Sequence, residues 1–264
     1  MDYSEYRAIA FRREGKVLYA TFNRPDVLNA FDDALDHEVG QLFGHVAADA
    51  ETNVLVITGA GKAFSAGGDI EHMQKVIDEP QRFLDGIRNG KKLLFGMLDC
   101  PKPIIAKVNG PAVGLGATIA LFCDIIIAAN HAKIADPHVK VGFVAGDGGA
   151  VIWPALLGHA RAKQYLLTGD AITGEEAARI GLINQAVPAE ELDRVVAELA
   201  QRLASGASLA IQWTKLSVNV LLKQQLATVL DASFAYEALS NLTVDHQEAV
   251  NAFREKRAPR FVGR

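Results

Sequence analysis

Val54-Leu55-Val56-Ile57-Thr58-Gly59-Ala60-Gly61-Lys62-Ala63-Phe64-Ser65-Ala66-Gly67-Gly68-Asp69-Ile70 is the stretch from which the rest of the chain can be read. Its first five residues are apolar or β-branched throughout. That continuous run predicts a strand covered on both faces rather than a half-wet one. Gly59-Ala60-Gly61 ends the strand and opens a glycine-rich loop. Pro103–Val108 and Ile125–Ala129 repeat the buried-strand pattern downstream. Between these runs lie helical periods. Asp32 is placed to cap a helix with Leu35, Val39, Leu42, Phe43 and Val46 on one face, and Gln81–Leu98 and Gly114–Phe122 read as helices too. Buried strands alternating with helices predict an α/β fold, a sheet with helices packed on it.

Upstream, Ala8–Phe11 and Val17–Phe22 read as a hairpin joined through Arg12–Lys16, and Pro25 stops the second strand. After Ala150 the pattern is almost wholly helical: Ala160–Leu167, Thr173–Ile180, Glu190–Ser205 and Leu209–Leu230. Thr173 with Glu176 three residues later resembles a capping box. The composition shift near residue 190 divides a core, 1–190, from a helical region, 191–264.

The chain has 264 residues, half of them apolar, with 27 basic against 31 acidic side chains. That balance argues against a protein built to neutralise a phosphate backbone, so nucleic acid is not an expected partner. Two cysteines without Cys-x-x-Cys spacing fit a reducing compartment. No signal-like segment and no membrane-length apolar run is seen, so a cytoplasmic protein is expected. Gly59-Ala60-Gly61-Lys62 lacks P-loop spacing, and Gly114-Leu115-Gly116 has Ile119 in place of the third glycine of a dinucleotide fingerprint. The seven histidines never fall at His-x-x-x-His spacing, and no metal is expected. No Gly-x-Ser-x-Gly elbow occurs.

Two glycine-rich stretches remain, Gly61–Ile70 and Asn109–Ala117. Small residues let a ligand approach the backbone, and a helix start presents free N–H donors. Two donors converging on one oxygen would form an oxyanion hole; separately, each stretch reads equally well as an ordinary turn.

Together they resemble the crotonase superfamily, the enoyl-CoA hydratase/isomerase family. The resemblance extends through Asn23-Arg24-Pro25…Leu28-Asn29-Ala30, Ser65–Ile70, Asn109–Gly116, Cys123-Asp124-Ile125, Gly142…Gly148-Gly149, Leu167-Thr168-Gly169 and Ala252–Arg257. It implies a spiral of ββα repeats, a helical C-terminal trimerisation region, and homotrimers often paired into hexamers. It implies an acyl-CoA thioester substrate, with coenzyme A entering as part of that substrate and no separate cofactor. By motif position the oxyanion donors would be the backbone N–H groups of Ala66 and Leu115. Arg24, Leu28, Ala66, Gly67, Gly68, Asp69, Ile70, Gly114 and Thr118 would line the substrate channel. Lys256 would reach a CoA phosphate on a neighbouring subunit, unless it is simply solvated surface charge.

The two glutamates usual in the family's hydratases correspond here to Thr118 and His138. A hydroxyl can orient water but stays protonated near neutral pH. His138 stands where a catalytic carboxylate is expected, and Asp147 follows nine residues later. A neutral imidazole accepts a proton from water, and an acid on its other nitrogen fixes the tautomer. This pair resembles the His–Asp dyad of crotonase-family β-diketone hydrolases, 6-oxocamphor hydrolase among them, and Glu237 would match a further glutamate there. A loop histidine is otherwise more often structural, and an aspartate beside glycines a turn former. Three functions follow: hydration or isomerisation of a 2-enoyl-CoA, hydrolysis of a C–C bond (β-diketone) or thioester, and non-catalytic CoA binding.

Overall fold

The computed structural model describes residues 1–264. The chain begins with the hairpin, β1 (Ile9–Glu14) and β2 (Val17–Phe22), paired from Ile9↔Phe22 to Glu14↔Val17. β1 thus runs through the three charged residues assigned to the turn, leaving Gly15 at φ 56° and Lys16 to make it. Outward charges suit a half-wet edge strand: Arg12 lies 4.0 Å over the Tyr19 ring, and Arg13 reaches Asp49 at 2.6 Å.

α1 (Asp33–Ala48) starts at Asp32, whose carboxylate accepts from the Leu35 N–H at 3.0 Å, a cap worth about 1 kcal/mol. Its buried stripe is the predicted one. β3 (Val54–Gly59) is buried at every position and pairs in parallel with β2. α2 (Ile70–Asp78) and α3 (Gln81–Asp99) lead to β4 (Ile104–Val108), then β5 (Ala112–Val113), α4 (Leu115–Phe122), β6 (Ile125–Ala129) and β7 (Lys133–Ala135). α5 (Gly149–Leu157), α6 (His159–Thr168), β8 (Ile172–Thr173), α7 (Gly174–Arg179) and β9 (Gln185–Val187) follow. Thr173 caps α7 by accepting from Glu176 N–H at 3.2 Å, as its sequence suggests. The main sheet runs β1-β2-β3-β4-β6-β9, parallel beyond the hairpin, beside a small sheet β5-β7-β8.

Three helices close the chain: α8 (Leu192–Ala204), α9 (Ser208–Asn241) and α10 (Val244–Arg254). α8 packs on β2, β3, β4 and β6, and its Leu192, Val196 and Ala200 join the same buried cluster as the strands. α9 runs eleven residues beyond its predicted end at Leu230. Its buried side continues through Ser233, Phe234, Glu237 and Asn241. The stripe turns polar there although the helix continues. No helix is long and apolar enough to cross a membrane.

Candidate active site

In a parallel sheet, ligands gather at the carboxyl ends of the strands. β3 and β4 are neighbours, so the glycine loops that follow them emerge side by side. Asn29, in a left-handed turn at φ 56°, stitches the first loop by donating to the Ala60 and Ala63 carbonyls, both at 2.9 Å. The loops pair at Ser65↔Ala112, with Val113 N–H donating to Ser65 O at 2.9 Å. Their approach depends on Gly67, at φ 85°: a β-carbon there would lie 2.7 Å from the Val113 carbonyl oxygen.

The direction of each amide decides which is free for a ligand. Ala66 N–H donates to Leu28 O at 2.9 Å and is therefore committed inside the protein. Phe31 donates to Gly67 O and accepts from Asp69 N–H, so the intervening Gly68 N–H points away from Phe31, with no acceptor in the chain. Leu115 is the first residue of α4, where N–H groups lack helical partners. The open pair is Gly68 and Leu115, which line one cavity, and the expectation for Ala66 is corrected by two residues.

β7 delivers the third loop, tied on by Gly114 N–H donating to Ala135 O at 2.9 Å. Asp136 ends it, wholly buried, and Pro137 leads into a short 3-10 turn, His138–Val141. The Asp136 carboxylate holds His138 Nδ1. Gly149 permits this position, since a β-carbon there would collide with Asp136 Oδ2 at 2.1 Å. On the ring's other side, Nε2 lies 3.6 Å from Asp147 Oδ2, while Asp147 Oδ1 accepts from Thr118 Oγ1 at 3.1 Å. Asp136, two residues before the histidine, is therefore the acid that orients the ring. Asp147, the expected one, faces the opposite nitrogen.

Two carboxylates around one imidazole change its charge. Burial pulls the His138 pKa down, but Asp136 and Asp147 outweigh that and push it up to about 10. At neutral pH the ring is an imidazolium, a proton donor, contrary to the neutral acceptor expected from sequence. Burial raises the pKa of Asp147, opposed by the charge of His138. Burial also holds the Glu237 carboxyl well above the usual range, reinforced by Asp147. Asp136, His138 and Asp147 bring ligand-type atoms within 4.8 Å of one another, yet both ring nitrogens already face carboxylates.

Two cavities meet at His138, sharing it with Gly68 and Met73. The outer one, about 800 Å³, is lined by Leu28, Ala66–Ile70, Gly114 and Lys256 among others. The inner one, about 190 Å³, runs between α3 and α9 and takes Leu115, His138, Asp147, Glu237 and His246. Five buried side-chain polar atoms lack a hydrogen-bond partner. Four of them, on Asp136, Asp147, Glu237 and His246, belong to this inner cavity or to the acid behind His138. Such atoms are rare in folded proteins, and their clustering marks a place shaped for something other than stability.

The enoyl-CoA hydratase/isomerase family profile matches residues 12–264. The chain belongs to the enoyl-CoA hydratase/isomerase family. It is 37% identical over 258 residues to a short-chain-enoyl-CoA hydratase of Clostridium acetobutylicum, covering 96% of this chain and 97% of that one. With a 1,2-epoxyphenylacetyl-CoA isomerase of Escherichia coli it shares 34% identity over 253 residues, 95% and 97% of the two chains. The crystal structure of an enoyl-CoA hydratase/isomerase from Mycobacterium paratuberculosis superposes with a TM-score of 0.89 at 35% identity, covering 92% and 97%.

Most of the family-derived channel residues do meet: Leu28, Ala66, Gly67, Gly68, Asp69, Ile70 and Gly114 line the outer cavity, and Thr118 donates to Asp147. Arg24 does not join them. Its guanidinium binds the Ala30 carbonyl and Asp32, 2.9 Å away, and so braces the turn that carries Leu28. Lys256, at φ 54°, lines the outer cavity of its own chain rather than lying remote from it. Asp136 and His246 join the site from outside the motifs that the sequence marks. Their signal, an acid two residues from a candidate histidine and a histidine in an unassigned final helix, becomes readable only once β7 and α10 are placed.

Proposed function

We propose that the chain is an acyl-CoA enzyme that hydrates or isomerises the double bond of a 2-enoyl thioester. The observation that carries this reading is the convergence of two unpaired amides, Gly68 and Leu115, with His138 and Asp147 on one cavity. The thioester oxygen accepts from both N–H groups, which favour the enolate over the ground-state carbonyl. Asp147 takes a proton from water as the water oxygen bonds to the β-carbon. The π pair moves to the α-carbon, and His138 Nε2–H supplies that carbon with its proton. The 3.6 Å gap between Asp147 and Nε2 lets the captured proton return to the ring, closing the cycle. Isomerisation needs only the same pair to move a proton between the α- and γ-carbons.

Hydrolysis of a thioester or C–C bond is the second reading, favoured by the Asp136–His138–Asp147 row in place of the family's two glutamates, which would equally aim water at a carbonyl carbon. Assembly into homotrimers or hexamers is supported by the apolar side chains that α9 leaves in solvent, Trp213, Val218, Leu221 and Leu239 among them. With crotonyl-CoA, hydration bleaches the conjugated thioester absorbance and releases no thiol. Stoichiometric thiol release would move the assignment to hydrolysis, and neither signal across an acyl-CoA panel would leave CoA binding alone.

A further inference from the structure

The inner cavity is walled by Phe83, Phe143, Phe234, Ile87 and Leu93, as a hydrocarbon would want. Two of its lining residues do not fit a hydrocarbon. Glu237 is 4% exposed and His246 is 1% exposed, and each presents a side-chain atom, Oε2 and Nε2, with no partner in the chain. Asp147 Oδ2, also unpartnered, faces His138 Nε2 at 3.6 Å; of the remaining polar side chains, Asn241 donates to Val76 O, and Asp36 accepts from Asn89 at 2.7 Å. His72 and Arg82 face Asp33 near the surface.

Both residues sit among contacts that tie the loop before α5 to α9 and α10. Glu237 is pressed against the loop before Asp147, where Gly146 has no side chain; a β-carbon there would lie 2.5 Å from Oε2. Ser233 Oγ donates to Gly146 O at 3.1 Å, and Ser240 Oγ accepts from Val144 N–H at 3.1 Å, clamping that loop to α9 on either side of Glu237. His246 donates Nδ1–H to Val141 O at 2.7 Å, which leaves Nε2 as an acceptor, and its ring stacks on Phe143 at 4.5 Å. Burial lowers the His246 pKa and raises that of the Glu237 carboxyl, so it favours the uncharged form of each. An apolar pocket thus offers one neutral donor and one neutral acceptor, the complement of a hydroxyl group.

From this geometry we infer that the inner cavity selects an enoyl-CoA whose acyl group bears a hydroxyl, with Glu237 and His246 as the residues that read it. The inference rests on the acyl-CoA reading above. A cavity of about 190 Å³ limits the acyl group to a short chain or one ring, since a dry engineered cavity of roughly 150 Å³ holds benzene. A site built to pair a substrate hydroxyl discriminates strongly against the analogue lacking it, because its own buried groups are then left unpaired.

The test compares kcat/KM for crotonyl-CoA against 4-hydroxycrotonyl-CoA, and cinnamoyl-CoA against 4-hydroxycinnamoyl-CoA, following both absorbance loss and thiol release. At least one hydroxylated member should be preferred by about 100-fold or more. Glu237→Leu and His246→Phe should each cut that ratio at least tenfold, and Glu237→Gln, which keeps a donor, should retain most of it. Turnover of both plain substrates with no preference in either pair would overturn the inference and leave the acyl-CoA reading intact. No turnover of any thioester would instead count against that reading. A Glu237→Leu loss equal on plain and hydroxylated substrates would overturn the inference by assigning Glu237 to the reacting water.

Discussion

The outer and inner halves of the site are built on different principles. The outer half, together with Leu115 at the inner cavity, works through peptide groups: Gly68 and Leu115 contribute amides, and Gly67 and Gly114 contribute the absence of side chains. The inner half works through side chains drawn from four separate places, Asp136 after β7, Asp147 before α5, Glu237 on α9 and His246 on α10. Peptide groups are set by the local path of the chain, so a short motif specifies them. Side-chain chemistry depends on which distant elements meet, and it can be rebuilt while the backbone frame stays unchanged. Here the frame is set by the glycine loops, and the acid–base row by Asp136, His138 and Asp147.

The contrast predicts unequal losses. His138→Ala should lower kcat/KM on crotonyl-CoA by roughly 10²–10⁴, the span of general acid–base catalysis, with circular dichroism and assembly mass retained. A rate within tenfold of the parent would take the chemistry away from the inner half. Gly67→Ala attacks the frame instead. Its β-carbon would meet the Val113 oxygen at 2.7 Å and would sit at φ 85°, so the loop must shift and carry the Gly68 amide with it. Misplacement of about 1 Å costs on the order of 100-fold, seen in kcat more than in folding. A substitution without effect would mean the amide pair does not hold the oxygen that gains charge.

The same division explains what the sequence revealed. β3, the two glycine loops and the capped helices were readable because each is decided by neighbouring residues. Two errors were of geometry. Motif position points to Ala66, while the direction of each amide depends on Leu28 and Phe31, more than thirty residues upstream. Asp147 is expected as the ring's orienting acid from the resemblance to a His–Asp dyad of the same nine-residue spacing. The structure gives Nδ1 to Asp136, since the bend at Pro137 folds the chain back on itself. The end of α9 escaped because most of its inward residues, Ser233, Glu237 and Asn241, are polar, and hydropathy reads a polar stripe as solvent. In this chain that stripe is the far wall of the inner cavity.

Asp136→Asn bears most directly on the ring's protonation. The parent His138 keeps its proton until about pH 10, so activity that needs the imidazolium should persist through neutral pH and fall on an alkaline limb near that value. Removing one of the two flanking charges lowers the ring's pKa, and the limb should move toward acid by a unit or more. At pH 6 the loss should be severalfold, growing to tenfold or more at pH 9. Stability should follow the same sign. A histidine whose folded pKa lies above its unfolded value of about 6.5 contributes stability that is complete below that value and disappears as pH rises through the folded one. The variant should therefore be most destabilised relative to the parent near pH 6, where a buried pair is broken at a cost of about 3–5 kcal/mol, and least near pH 10. Parallel pH–rate and denaturation series on parent and variant check both. A limb that stays near 10 in Asp136→Asn would mean that Asp147 alone holds the ring's proton, restoring the pairing that spacing in the sequence first suggested.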